Sequence, residues 1–150
     1  MHTFRRYLAL LLLAMLCAGC DSLPTAPTAT LIPYDRHDVP AVLQAFARAG
    51  LPISDIEQDT DVQRDGPRVL KDRWVFAVPR IAPAGGQIVV FTDQSQQNEW
   101  TAFIERLRND SDTRRDVVYT YFHSNIMLQL NAGLTNQEAN AYRDALLTLP

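Results

Sequence analysis

Both cysteines of this chain, Cys17 and Cys20, directly follow one uninterrupted apolar run, Leu8–Leu16, and no cysteine occurs after them. Disulfide bonds are therefore excluded from the whole downstream part, which has to fold by burying its own apolar surface. The 150 residues are 47% hydrophobic, a composition that supports one domain with one core. These facts limit the fold to an ordinary globular domain without covalent crosslinks.

The first residues have the order of a secretory signal, in which a basic stretch precedes an apolar run and then small residues. Arg5 and Arg6 come before Leu8–Leu16. That run is too short to span the membrane, because crossing the hydrocarbon of a bilayer takes roughly 20 apolar residues. A cleaved signal is therefore favoured over a membrane-spanning helix.

The end of this segment, Leu16-Cys17-Ala18-Gly19-Cys20, resembles the lipobox of bacterial membrane lipoproteins, and the resemblance covers residues 1–21 only. It implies a signal peptide over residues 1–19, a diacylglyceryl group with further acylation on Cys20, and a place at the extracytoplasmic face of the cytoplasmic membrane. Two acyl chains hold a protein stably on a bilayer. The alternatives are an ordinary signal in which Cys20 is incidental and a cytosolic protein with an apolar N-terminus.

Asp21 follows the cysteine that the resemblance identifies as lipidated. In some Gram-negative lipoproteins an aspartate there directs retention at the inner membrane, so Asp21 is a candidate sorting residue. Residues 20–35 are interpreted as the lipidated cysteine and a tether rich in proline and threonine. Its twelve residues 22–33 would reach ~37 Å if extended at about 3.1 Å per residue.

The charge of the chain argues against nucleic acid as a partner. Of its 14 Lys and Arg residues, Arg5 and Arg6 lie in the predicted signal, whereas all 17 Asp and Glu residues follow it, so the mature chain has a net charge of −5. Nucleic-acid binders present basic surfaces instead.

The expected partners follow from the predicted anchor. We expect a monomer that is attached to the membrane by lipid and binds an envelope protein or ligand.

Three amphipathic helices are predicted by their caps and apolar spacing. The first is capped by Asp38, has Leu43, Phe46 and Ala47 on one face and ends at Gly50. The second covers about 95–108, with Trp100, Phe103, Ile104 and Leu107 on its apolar stripe. The third has a Thr135/Glu138 capping box followed by Ala139, Tyr142, Leu146 and Leu149.

Runs of strand type are predicted between the helices, over about 53–62, 73–78, 87–92, 117–123 and 126–131. Ser124-Asn125 is a candidate two-residue hairpin turn, because asparagine tolerates positive φ. The predicted fold over residues 36–150 is therefore α+β, an antiparallel sheet of four to five strands in the order α-β-ββ-α-ββ-α. A degenerate ββα repeat is possible, and we expect the helices to cover one face of the sheet.

Four carboxylates, Asp55, Glu57, Asp59 and Asp61, alternate with other residues along the first predicted strand. On a regular strand they would share one face, which could collect a calcium ion or a cationic ligand. The competing interpretation is a solvated edge strand whose charges discourage edge-to-edge pairing. The segment is not an EF-hand loop, because Thr60 occupies the place of the required glycine and Gly66 that of the required glutamate, so the edge strand is favoured.

Only His37 and His123 remain after the predicted processing, 86 residues apart and without a cysteine partner. Zinc sites take three or four ligands, so no metal site or other cofactor is predicted. Ser124 next to His123 could point to nucleophilic catalysis, but no glycine elbow surrounds this serine. No catalytic residue is assigned, and a histidine in a surface turn is the simpler interpretation.

Alternate residues of the fourth strand point to opposite faces, so Tyr119, Tyr121 and His123 share one side. If that side is open, the three residues form a possible binding platform of the kind that interfaces favour. If a helix covers it, they belong to the core. The leading functional hypothesis is a tethered binding or interaction module, and the alternative is an envelope hydrolase or other enzyme around His123 and the acidic strand.

Overall fold

The computed structural model describes residues 33–34, 36–60, 66–68, 70–114 and 118–150. These residues belong to one compact unit. The predictions for Cys20, Asp21 and Asp61 lie outside the described residues. Within the described ranges, no helix combines the length and the apolar character that a membrane crossing requires.

In the part of the chain that the structure describes, three α-helices and five strands follow one another in the predicted α+β order. The helices are α1 (Val39–Arg48), α2 (Gln94–Asn109) and α3 (Asn136–Leu146). The strands are β1 (Ser54–Gln58), β2 (Asp72–Ala77), β3 (Gly85–Val90), β4 (Tyr119–His123) and β5 (Ile126–Leu130). A 3-10 turn, Pro79–Ile81, precedes β3.

The five strands form one antiparallel sheet in the order β1-β2-β3-β5-β4. The hairpins β2–β3 and β4–β5 join through β3 and β5, where Gly86 pairs with Leu130 and Val90 with Ile126. The edges of the sheet are therefore β1 and β4. Each hairpin is followed by a helix, as the suggested ββα units require.

Side-chain caps explain where the helices begin. The Asp38 carboxylate accepts a hydrogen bond from the Ala41 backbone N–H at 2.9 Å, as predicted. Thr135 and Glu138 form the predicted reciprocal capping box. The second helix starts one residue before the expected position because Asp93 is its N-cap.

The helices lie on both faces of the sheet, so the prediction that they cover one face is wrong. A first cluster joins α1 and α3 to one face through Phe46, Tyr142 and Leu128. A second cluster joins α2 to the other face through Trp100, Ile104 and neighbouring sheet residues. The reason is that β3 and β5 are central strands whose alternating side chains are apolar on both sides, as in Ile88, Val89 and Val90, or Met127 and Leu128.

Two further predictions need correction. Ala47 is exposed, because the buried stripe of α1 runs through Val39, Val42, Ala45 and Phe46. The hairpin turn is present, but its positive φ of 52° belongs to Ser124 and not to its neighbouring asparagine.

Candidate functional site

The sheet has two ends with different chemistry. We call one of them the entry end, because the chain enters the domain there through residues 33–34 and 36–38, and the turn Ser124-Asn125 joins β4 to β5 there. The opposite end, the distal end, contains the last residue of β2, the first residue of β3 and the last residue of β5, which are Ala77, Gly85 and Leu130.

Side-chain hydrogen bonds fix the entering segment to the domain. The Tyr34 hydroxyl donates to Oε1 of Gln97 on α2, on the side of the second cluster. Burial, followed by the charge of Asp93, raises the pKa of Tyr34 to about 12, so the hydroxyl keeps its proton. Arg36 Nε donates to the Ser124 hydroxyl oxygen at 2.9 Å.

Asn125 is fully buried, and its side chain makes the hydrogen bonds to the entering segment that a neighbouring strand would otherwise make. Its Oδ1 accepts from the His37 backbone N–H at 3.0 Å, and its Nδ2 donates to the His37 carbonyl oxygen at 2.7 Å. The two bonds satisfy both main-chain groups of one residue, as a strand neighbour would. The asparagine at the predicted turn therefore holds the entering chain.

The structure brings together the two histidines that lie far apart in the sequence. The His37 and His123 rings are stacked with their centroids 5.6 Å apart and their planes 21° from parallel. His123 Nε2 lies 3.0 Å from the carbonyl oxygen of Leu149. His37 is buried, and its Nε2 has no hydrogen-bond partner among the described residues.

The surroundings of His37 disfavour its protonated form. Burial, then the positive charge of Arg36 and then His123 lower the pKa of His37 below its usual value of 6.5. A hydrogen bond to the Pro150 backbone and the Asp38 carboxylate act in the opposite direction without compensating. The ring is therefore neutral at physiological pH.

This arrangement differs from that of a serine nucleophile and its base. His123 Nε2 faces the Leu149 carbonyl oxygen, while the Ser124 hydroxyl oxygen accepts from Arg36. A triad needs the base within hydrogen-bond reach of the nucleophile. Among the described residues, no group of three His, Cys, Asp or Glu side chains could hold a metal ion.

The distal end has an apolar pocket of about 220 Å³ on the face that α1 and α3 cover. We call it the distal pocket. Its apolar walls come from the segment after α1, from the end of β2 and from α3 with the residues before it. They are Leu51, Pro52, Val78, Leu134, Ala141 and Tyr142. The Tyr142 hydroxyl donates to the Pro52 carbonyl oxygen at 2.7 Å, which fixes the ring as a rigid wall.

An ion pair forms the rim of the distal pocket. Arg80 Nη2 donates to Glu138 Oε2 at 2.7 Å and to the Gly133 carbonyl oxygen at 2.8 Å. Hydrogen bonds from Thr135, and then Arg80, lower the pKa of Glu138, so its carboxylate stays charged in mild acid. Half of the Arg80 side chain is exposed, which leaves it accessible to a partner.

A second concavity of about 190 Å³ lies at the distal end, on the face that α2 covers only in part. We call it the polar groove. Gln87 and Gln129 form its floor and are joined by a hydrogen bond of 2.8 Å. Gly85 lies at its edge, where a Cβ would come within 2.0 Å of the Phe76 carbonyl oxygen. The glycine is therefore required by close approach of two strands.

Of the three predicted binding residues, Tyr119 and Tyr121 pack against the first cluster on the face that α1 and α3 cover. The Tyr119 hydroxyl donates to the Leu134 carbonyl oxygen at 3.0 Å. His123 is on the same side of β4 and lies at the entry end, as the last residue of the strand. The alternative of a helix-covered face is therefore the one observed, and a role of these residues in binding stays a prediction.

The acidic segment forms β1 at the edge of the sheet, in agreement with its interpretation as an edge strand and not as a calcium site. Its alternation is interrupted by a bulge after Ser54, where Asp55 has a positive φ of 48°. Asp59 follows β1 and forms an ion pair with Arg73 at 3.3 Å. The described carboxylates are therefore distributed along an edge and do not converge on one point.

Comparison of the chain with protein families, with curated proteins and with solved structures finds no match. The candidate sites therefore have to be interpreted from their own geometry.

The distal pocket is the site that the sequence did not indicate. Its walls combine residues between Leu51 and Tyr142 from three separate segments, and each of them is unremarkable on its own. The capping box at Glu138 was visible in the sequence as a helix start, but the partner of Glu138, Arg80, lies 58 positions away in the chain. Only a knowledge of the sheet order would have placed the two together.

Proposed function

We propose that this chain is a lipoprotein, anchored by Cys20 at the extracytoplasmic face of the cytoplasmic membrane, whose α+β domain binds a partner through the distal pocket. The observation that carries the proposal is the pocket itself, an apolar cavity with a fixed aromatic wall and a charged rim. Apolar concavities with a few oriented polar groups are the usual form of binding sites.

The size of the distal pocket favours a single apolar group as its occupant. Pockets for complete drug-sized ligands begin at about 300 Å³, whereas a cavity of ~150 Å³ already admits benzene. The distal pocket, at about 220 Å³, lies between these values. We therefore propose that it accepts one aliphatic or aromatic side chain of an envelope protein, while Arg80 and Glu138 bond polar groups beside it.

The position of the pocket is compatible with such an anchor. The chain enters the domain at the end of the sheet opposite to the pocket. A tether attached there would leave the distal end accessible, and an extended tether of ~37 Å would carry the domain beyond the lipid headgroups. The proposed anchor and the proposed binding site thus do not compete for the same surface.

A second function, an enzyme near His123 and the acidic strand, gains little from the geometry. His123 is engaged with a backbone carbonyl, and the described carboxylates of β1 follow an edge. The binding module therefore remains the better proposal.

The anchor is tested by Cys20→Ser. We expect this change to prevent acylation, so that the protein is either not processed or released from the membrane fraction. Mass spectrometry of the wild-type N-terminus should show a diacylated cysteine. Normal maturation and membrane retention of Cys20→Ser would contradict the anchor without affecting the pocket.

The pocket is tested separately by Ala141→Phe, which places a ring in the cavity. Ala102→Phe is the matched control, because Ala102 is exposed on α2. We expect copurification of the envelope partner to be lost with Ala141→Phe and retained with Ala102→Phe, with both variants folded by circular dichroism. Equal copurification with both would contradict binding at the distal pocket.

A further inference from the structure

Three segments that are distant in the sequence meet around the stacked histidines at the entry end. His37 belongs to the entering segment, His123 ends β4, and Leu149 and Pro150 follow α3. We infer that His37 and His123 form an acid-sensitive clasp that holds residues 36–38 against residues 147–150 at neutral pH and loosens in mild acid.

The clasp depends on contacts between the rings and the backbone. The His123 imidazole bonds to the segment after α3, because its Nε2 lies 3.0 Å from the Leu149 carbonyl oxygen. The rings also contact each other face to face at 5.6 Å. Side-chain bonds from Asn125 to both main-chain groups of His37 keep this ring in position.

The charges around the rings show what acid does to the clasp. With both rings protonated, two cations would be stacked 5.6 Å apart, and the Arg36 guanidinium would add a third positive charge nearby. Asp38 is the carboxylate that acts on His37 in the opposite sense. His37 is only 6% exposed, so water screens this repulsion poorly. Protonation of His37 beside a charged His123 is therefore coupled to separation of the rings.

Linkage gives the direction of the pH dependence. Because the pKa of His37 is lower in the folded protein than its ordinary value of 6.5, the unfolded chain binds more protons in mild acid. The contribution of the clasp to stability is complete above about pH 6.5 and is lost as the pH falls toward the folded pKa. Histidine is the side chain whose titration suits a response in this range.

The effect is local to the entry end. The distal pocket contains no histidine, and its ionisable rim residue Glu138 has a lowered pKa. Mild acid should therefore loosen the attachment of the entering segment while the pocket keeps its charge pattern. The clasp is a property of the fold that does not depend on the proposed function.

The test is hydrogen exchange with mass spectrometry on the full chain in detergent micelles at about pH 7.5 and pH 5.5, corrected for intrinsic exchange. We expect the protection of residues 147–149 to fall by about threefold or more relative to that of α2, which serves as the internal control. Equal changes in the two regions would overturn the inference.

Two matched variants separate titration from loss of contact. In His123→Gln the side-chain amide can still donate to the Leu149 carbonyl oxygen but cannot become charged, and His37→Gln removes the ring whose pKa is lowered. We expect both variants to lose the additional exchange at about pH 5.5 while keeping near wild-type protection at about pH 7.5. If either variant keeps the full acid response, or if both lose protection at neutral pH, the rings act only as packing and the inference is wrong.

Discussion

The entry end and the distal end of the sheet differ in how the segments around them pack. At the entry end, bonds from Tyr34, Arg36 and His37 tie the incoming chain to α2 and to the β4–β5 turn. At the distal end, the segments that meet leave an apolar pocket on one face and a polar groove on the other. The entry end therefore holds the incoming chain, whereas the distal end has the concave surfaces at which we propose that a partner binds.

Packing on the α2 face follows the same division. The second cluster, with Trp100, Phe91 and Met127, fills the half nearer the entry end. The other half contains Val75, Gln87 and Gln129, which line the polar groove. Truncations at the entry end should therefore affect stability strongly, and truncations at the distal rim should affect it little.

The largest effect is expected for Trp100→Ala. Trp100 is 1% exposed between α2 and the sheet, and large-to-small changes of buried aromatics cost about 3 to 5 kcal/mol. Urea unfolding of the purified protein would measure the loss. A value below about 1 kcal/mol would show that this half of the face is not closed as described.

The next largest effect is expected for Asn125→Ala, which leaves the main-chain N–H and carbonyl of His37 without their partners. Burying two unsatisfied groups should lower the free energy of unfolding by about 2 to 3 kcal/mol. Asn98→Ala, at an exposed position of α2, is the control and should change it by less than about 0.5 kcal/mol. Similar losses of unfolding free energy in both variants would contradict the conclusion that the Asn125 side chain holds the entering segment.

Tyr119→Phe should have an intermediate effect. The change removes only the hydroxyl, which lies within hydrogen-bond distance of the Leu134 carbonyl oxygen at 3.0 Å and of Asn136 Oδ1 at 2.9 Å, and such a bond contributes about 1 kcal/mol. The same variant examines the earlier prediction that Tyr119 belongs to a binding surface. Loss of partner binding at unchanged stability would support that prediction over a structural role.

The smallest effect on stability is expected for Arg80→Ala. Half of this side chain is exposed, and ion pairs in such positions contribute less than about 1 kcal/mol. Partner binding, in contrast, should weaken, because the rim of the distal pocket loses its guanidinium. A loss of stability comparable to that of Asn125→Ala would contradict the division between the two ends.

The elements of the fold could be predicted because each has a local signal. Asp38 and Thr135 mark helix starts by side-chain chemistry that acts within three residues. The division of the helices between two faces could not be predicted in the same way, since it depends on strand order. The sequence shows that Val89 and Val90 are both apolar, but not which helix covers each of them.

The candidate sites depend on contacts between distant segments, and this is why the sequence did not reveal them. His37 and His123 stack only because α1 begins beside the β4–β5 turn, a relation that no spacing in the chain expresses. Their separation by 86 residues was an argument against a shared site. The alternation along β4 did correctly place Tyr119 and Tyr121 on one side.

The most direct test of partner binding at the distal pocket is photocrosslinking in the native envelope, with the photoreactive group placed either in the pocket or on an exposed helix surface. A diazirine analogue of leucine, which keeps the side-chain volume, replaces Leu51 in the distal pocket or, in the control, Ala102 on the exposed side of α2. We expect a discrete crosslinked partner from position 51 that is absent from position 102 and disappears when Arg80→Ala is added. Crosslinks of equal yield from both positions, or a partner captured only from position 102, would contradict the distal pocket as the binding site.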